Sequence, residues 1–535
     1  MSGIERTILA PPSISAAATI GTAVEAGTLE RATRAGLHAW VMTALFFLVP
    51  LLAYWPTTFH DFGLRDDYSN LREAREEPGV VLKFCASHAR PIYGLLLRAT
   101  YGETSSVQNL QWMRFGAALL LGTLSLVAFR SLRAFGWPYD ASLCFALLLS
   151  LVPSAQVIAS WAVGWPYAAT ALIAVGAFFA AEGAMTAGIL RPRMAVQWTV
   201  ALGLMVAAAL IYQPSAMFYV VPVTAAFIAQ RERALADRIR SVAIHVGFVL
   251  FALGFAYFIM SSLYAAGVFV KSGRIAFEQH WGTKIVWFLD EMLPNALSLF
   301  VLDDNNHRDY SLFLVCAGIV GLTLIAGCVV EWRRGGRARG LAWSAALCGM
   351  PLLACAVSLV ASERYATYRT IFAMTAVLLL FLVASARSLM IGLDQSLRRT
   401  LVGAVLVTAF LTAQHHAYAL IAVPQGNEWQ LIVDGAKRVP LARRAVDGRP
   451  RIFAIASAPA DISTATIYHD EFGSLSSNSE WVPREMFKRA MHDLHPDVAN
   501  IDTRYEFATG VKLPPGQHYD VVIDLHRLRR FYADN

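Results

Sequence analysis

The sequence predicts an α-helical polytopic membrane protein with a small α/β domain at its C-terminal end. Three observations carry that reading. The 535 residues are 56% apolar and 16% charged, with a mean hydropathy of +0.48, whereas a soluble domain averages about 45–50% apolar and about 25% charged. The apolar residues gather in runs near the roughly 20 residues that cross a hydrocarbon core. After Pro424 those runs shorten and charge rises. A disordered chain, a coiled coil and an ordinary soluble enzyme are excluded, and six Cys are too few for a disulfide scaffold.

Residues 1–36 are rich in Ala, Thr and Ser and read as a flexible cytoplasmic tail. Eleven apolar spans follow, at 37–55, 107–129, 139–157, 166–186, 196–213, 215–230, 241–263, 309–330, 341–361, 370–390 and 400–423. The first is a span and not a cleaved signal, because no small-residue cleavage site precedes Tyr54-Trp55-Pro56. Two connectors, 56–106 and 264–308, exceed what joining helices requires, and long structured loops are usually functional. In the first, Asn70 to Glu77 reads as a short helix stopped at Pro78-Gly79, and Pro91 to Tyr101 as an interfacial helix. The module 37–423 is thus followed by a domain at 424–535. There, 451–456 and 519–525 read as buried strands, and 427–446 and 481–494 carry helical spacing.

The net charge of +7 falls mainly in short connectors and not on one basic face, which argues for membrane orientation and against nucleic-acid binding. Arg clusters mark 31–36, 130–138, 187–195, 231–240, 331–340 and 391–399 as cytoplasmic. The turns 158–165 and 214 hold no Lys or Arg, and 362–369 holds only Arg364 and Arg369. The N-terminus is expected inside and the C-terminal domain outside, in the periplasm of a bacterial inner membrane.

Candidate chemistry clusters on the outer side. Arg65-Asp66-Asp67-Tyr68 places two carboxylates side by side near the membrane, where one pKa rises while the other group stays ionised. Such a pair can deprotonate a hydroxyl or hold a divalent ion; its plainer alternative is an acidic loop capping the next helix. Ser87-His88-Ala89-Arg90-Pro91 sets Arg90 at headgroup level, able to fork onto a phosphate or to anchor a lipid headgroup. Arg364 and Arg369 run against the positive-inside trend and are further phosphate candidates, or an ion pair with Glu363 and a snorkelling side chain. Tyr212-Gln213-Pro214 and Trp161, Trp165 and Tyr167 are interface anchors unless they line a sugar cavity, and Arg114 is unusual inside a span. Asp303-Asp304-Asn305-Asn306 lacks the Gly and distal Glu of a calcium loop. Cys85 is the sole outer Cys, and His415-His416 diverge on a helix.

An acidic pair (Asp66, Asp67) in the first outer loop, followed by Arg90-Pro91 before re-entry, resembles the membrane-embedded GT-C glycosyltransferases. With Tyr212-Gln213 at an outer span end, it looks most like the bacterial Gtr-type O-antigen glucosyltransferases, although Ala89 stands where their pattern has Gly. The resemblance implies an inverting transfer from a polyprenyl-phosphate-linked sugar donor to a glycan acceptor at the periplasmic face. It implies Asp66 and Asp67 as catalytic residues, Arg90, Arg364 and Arg369 on the donor phosphate, and Tyr68, His88, Trp165, Tyr212 and Gln213 on substrate. No cofactor is required; Mg2+ or Mn2+ on Asp66 and Asp67 is the option if a metal is used. Transfer onto a protein or pilin acceptor is an alternative. So is a lipid-linked saccharide transporter, against which stands the gathering of polar candidates at one face, and so is a membrane scaffold with dispensable aspartates.

Overall fold

A computed structural model describes residues 40–77, 79–186, 192–230, 233–303, 312–441, 448–456, 468, 470–526 and 528. The N-terminal tail, Pro78 and Asp304 to Asn306 lie outside these. The apolar segments are helical in chain order. Helix α1 (Trp40–Ala53) leads to four short helices of the first long connector, α2 (Trp55–Phe59), α3 (Asp66–Glu76), α4 (Val80–Ser87) and α5 (Pro91–Glu103). Then come α6 (Leu110–Ala134), α7 (Tyr139–Leu149), α8 (Pro153–Ser160), α9 (Trp165–Thr186), α10 (Pro192–Ala216), α11 (Val220–Ala229) and α12 (Leu235–Ala265). The second long connector carries α13 (Trp281–Trp287) and α14 (Leu293–Leu297). Helices α15 (Leu312–Ala354), α16 (Ala356–Val360), α17 (Phe372–Leu389), α18 (Gln395–His415), α19 (Val423–Lys437) and α20 (Val482–Leu494) complete the set.

Among the described residues, seven helical stretches are long and apolar enough to cross a membrane, or eight with the pair α7 and α8, bent by 47°. Two of these stretches, Pro192–Ala229 and Leu312–Ala354, turn back on themselves, so each holds two of the eleven expected segments, and the first expected segment is the shorter α1. In α15 the turn is at Gly336 (φ 75°), a left-handed conformation that glycine adopts without strain. Cys328 Sγ and Ser344 Oγ, 16 residues apart, meet at 2.9 Å across it. Between α10 and α11 the helix breaks at Tyr212 (φ −155°, ψ 104°), two residues before Pro214, which has no N–H to continue the ladder. Tyr219 then bonds His245 at 2.8 Å, at the level of Glu182.

The segments expected outside meet at one end of the bundle, and those expected inside meet at the other. At the second end Arg398 pairs with Asp140 at 3.2 Å, and Trp137 Nε1 donates to Ala225 O at 3.0 Å. Helices α18 and α19 join through a π-helical turn into one stretch, Gln395–Lys437, so the expected boundary at 424 falls inside a helix. That helix runs directly onto a parallel sheet of order β2-β1-β3, with β1 (Arg451–Ile455) between β2 (Glu506–Gly510) and β3 (Val521–Asp524). Gly435 permits the approach, since a Cβ there would collide with Ile523 of β3. Strands β1 and β3 match the apolar runs of the sequence; β2, Glu506-Phe507-Ala508-Thr509-Gly510, has none and escapes that reading.

Candidate functional site

The Asp66 loop is built by local constraints. Arg65 takes φ 38°, ψ −96° just before α3, an unfavourable conformation that its neighbours hold in place. Its N–H donates to Ser476 Oγ at 3.1 Å, and its guanidinium reaches Ser474 Oγ at 3.3 Å and Glu471 Oε1 at 3.3 Å. Asp67 is fully buried and closes the first turn of α3. Its Oδ2 accepts from Leu64 N–H at 2.8 Å and its Oδ1 from the Tyr101 hydroxyl. Burial pushes the Asp67 carboxyl up to about 6 despite both hydrogen bonds. Arg114, equally buried, secures the strand of loop ahead of the pair by donating to Phe62 O and His60 O, both at 2.8 Å. This explains a charge inside an apolar span.

Asp66 is the contrasting neighbour. Its side chain is open to solvent, yet protein surrounds it closely enough that desolvation raises its pKa, while Arg369, Arg65 and Arg274 pull it back. A carboxylate both accessible and enclosed faces a recess. Arg369 enters that recess from the connector before α17, stacked 4.4 Å over Trp161 and donating to Tyr365 OH at 2.8 Å. It also pairs with Glu471 at 3.5 Å.

Glu471 is therefore shared by Arg65 and Arg369 and is almost fully buried. Burial pushes its carboxyl well above the usual glutamate value; Arg65 and Arg369 pull it back and Asp470 adds to the rise. Sequence reasoning missed it, because no local pattern marks a lone Glu some 400 residues from Arg65. Around it, residues 470–477 lie on α19, where Glu428 accepts from Ser476 N–H (2.9 Å) and Ser477 N–H (3.0 Å).

Arg90 stands on the adjoining wall at the start of α5, where Pro91 occupies the first helical position without wasting a donor. Its guanidinium lies 4.6 Å over the Tyr212 ring, and its Nε donates to Gln213 Oε1 at 3.2 Å. Gln213 Nε2 in turn donates to Ala89 O at 2.8 Å. The break between α10 and α11 thus presents Tyr212 and Gln213 as holders of Arg90. Tyr212 stacks on Tyr167 at 4.1 Å, and Tyr167 bonds Tyr93 OH at 2.9 Å. Each cation thus lies on an aromatic ring, Arg90 on Tyr212 and Arg369 on Trp161.

The remaining predicted residues fall elsewhere. Tyr68 is buried in packing, stacked on Trp429 at 5.4 Å with its hydroxyl accepting from Gly63 N–H at 3.0 Å. His88 Nε2 lies 3.3 Å from Ser272 Oγ, and burial lowers its pKa. Arg364 is tied to the second long connector through Glu278 (3.3 Å) and Thr283 Oγ1 (2.7 Å). That connector is clamped over the site: Lys284 donates to Ala361 O and Glu363 O, both at 2.8 Å, and Ser272 N–H to Ser87 O at 3.0 Å. It brings Arg274 to Asp66 and leaves Trp281, Ile285, Val286 and Leu289 exposed. Trp165 is half-buried at the start of α9, with an indole N–H that has no hydrogen-bond partner. For a metal, the two aspartates differ in access: Asp66 is exposed, whereas Asp67 is fully buried with each oxygen accepting from a protein donor.

No protein-family model and no curated protein matches the sequence. Two solved structures align with 85% of the chain, both of the oligosaccharyltransferase of Archaeoglobus fulgidus. One is AglB in complex with an inhibitory peptide and a dolichol-phosphate, at 11% identity, TM-score 0.42 and 63% of that chain. The other is the apo form, at 13% identity, TM-score 0.41 and 64% of that chain. The chain thus spans less than two thirds of either. The chemistry of the site is argued from its own residues.

Proposed function

We propose that the chain is a membrane-embedded glycosyltransferase of the GT-C type, transferring a sugar from a polyprenyl-phosphate donor to a hydroxyl of a cell-envelope glycan such as O-antigen. The reaction takes place at the Asp66 end of the bundle, which this reading sets on the periplasmic face of a bacterial inner membrane. The observation that carries it is Asp66 itself: an enclosed but open carboxylate among three arginines, with a fourth, Arg90, on the adjoining aromatic wall.

In this reading the acceptor oxygen attacks the anomeric carbon as the bond from that carbon to the phosphate oxygen breaks, with inversion. Asp66 takes the acceptor proton as general base, a contribution of roughly 10²–10⁴-fold. The transition state has oxocarbenium character, and charge grows on the departing phosphate. Arg90 and Arg369 meet that charge with donors already fixed in place, Arg90 by Gln213 and Arg369 by Tyr365 and Glu471. The exposed apolar face of Trp281, Ile285, Val286 and Leu289 suits contact with the lipid surface from which a polyprenyl donor arrives. Asp67 positions the loop and is not the base. No step is routed through a metal.

The test is turnover in liposomes with synthetic polyprenyl-phosphate sugars and a panel of acceptors. Transfer by the wild type that vanishes in Asp66→Asn supports the proposal. A correctly inserted wild type that transfers no sugar, or an Asp66→Asn variant as active as wild type, overturns it.

A further inference from the structure

Away from the recess, three groups from three separate elements converge on one point. Glu76 ends α3, His492 lies in the last turn of α20, and Asp502 sits in the short helical turn Ile501–Thr503. Their nearest ligand atoms all lie within 4.8 Å of one another. His492 Nε2 is 3.4 Å from Asp502 Oδ2 and 3.6 Å from Glu76 Oε1. Both separations exceed the 2.7–3.2 Å of a good N–H···O bond. They lie near the edges of a tetrahedron, because ligands about 2.0–2.2 Å from a zinc-like ion stand about 3.3–3.6 Å apart, and the Glu76–Asp502 pair closes the set within 4.8 Å.

We infer that Glu76, His492 and Asp502 form a binding site for a divalent transition ion that staples α3 to the C-terminal domain. The donor set favours an ion that accepts imidazole beside carboxylates, which suits Zn2+ better than Mg2+ or Ca2+. The surroundings are those of a held ligand set. Tyr505 donates to Asp502 Oδ1 at 2.6 Å, leaving Oδ2 turned to His492 as an outer partner orients a metal-bound carboxylate. Arg72 and Glu485, paired at 2.8 Å, align α3 with α20 alongside. The three side chains are 42%, 33% and 29% exposed for Glu76, His492 and Asp502, so an ion enters from solvent and keeps a water in its fourth position. Because α3 begins at Asp66, the ion would fix the far end of the helix that presents the recess carboxylate.

The site stands independently of the proposed transfer, and so does its test. Full-length protein in detergent, stripped with a chelator, is titrated with Zn2+ alone by calorimetry. One equivalent is expected, with affinity at least tenfold weaker in His492→Ala and in Glu76→Gln and unchanged in His518→Ala. Glu76→Gln lies at an exposed helix end, so its fold is retained even if His492→Ala perturbs α20. No saturable binding by the wild type, or a Glu76→Gln variant that binds as tightly as wild type, overturns the inference.

Discussion

Asp66 and Asp67 are adjacent in sequence and opposite in environment, so the same substitution should fail differently at each. Asp66→Asn removes an accessible base without taking away a hydrogen bond that the loop depends on. Transfer should fall by roughly 10²–10⁴-fold, with the thermal midpoint in detergent unchanged. Asp67→Asn leaves Leu64 N–H or the Tyr101 hydroxyl facing an amide that satisfies only one of them. A buried unsatisfied donor costs about 1–3 kcal/mol, read as a lowered thermal midpoint. The pH dependence follows from the charges around Asp66. Its pKa is raised by burial and held back by Arg369, Arg65 and Arg274. With Asp66 as the proposed base, activity is present above that pKa and lost as pH falls through it. Arg274 is largely exposed and bonds none of the recess residues, pairing loosely with Glu363 at 3.8 Å. Arg274→Gln removes one cation that favours the carboxylate, so the acid limb of kcat/KM against pH should move to higher pH. A limb that stays or moves lower contradicts this electrostatic assignment. Ala89 has φ 60°, in the region glycine occupies without strain, which gives a physical reason why a Gly-Arg-Pro sequence suits this turn.

At the scale of elements, the recess depends on how closely α1 approaches α6, since α1 leads directly into the loop that carries Asp66. Gly122 on α6 makes that contact: a Cβ there would stand 2.9 Å from Phe46 O, a backbone atom that cannot step aside. Gly122→Ala should cost about 1–3 kcal/mol by overpacking. Gly116→Ala on the same helix, with nothing within 4 Å, should be neutral or slightly stabilising. Paired thermal-denaturation curves in one detergent decide it, and equal midpoints would show that α1 does not bear on α6 there. The same level of organisation explains what the sequence disclosed. Apolar run length found the membrane helices, because crossing hydrocarbon demands it, and Pro91 and Pro214 marked real starts and breaks. Run length could not say that α18 continues through a π-turn into α19, because a helix leaving the bilayer becomes polar without ending. Strand β2 was invisible for a related reason: none of its five residues is fully buried, whereas β3 at the other edge buries Val521 and Ile523, so β2 needs no apolar run.

For the whole molecule, the recess is assembled from parts of the chain far apart in sequence, and that limits what local patterns reveal. Arg90, Tyr212, Gln213 and Arg369 were legible because each is a polar group where a span meets an interface. Glu471 was not, because its role arises only when residues 470–477 are laid between α19 and the Asp66 loop. There it neutralises two arginines that would otherwise repel each other, and Ser474 and Ser476 hold Arg65 in its unfavourable backbone conformation. The C-terminal domain is therefore structural support for the recess. Ending the chain after Lys437 keeps α18 and α19 whole, yet removes Glu471, Ser474 and Ser476 together. The truncated protein should insert normally but lose transfer with every acceptor, and Arg65 should become readily cleaved by trypsin. If the domain served acceptor recognition alone, truncation would still leave hydrolysis of the donor by water intact and the loop as protease-resistant as before. Donor hydrolysis and the rate of cleavage at Arg65, measured on the same truncated preparation, separate the two roles.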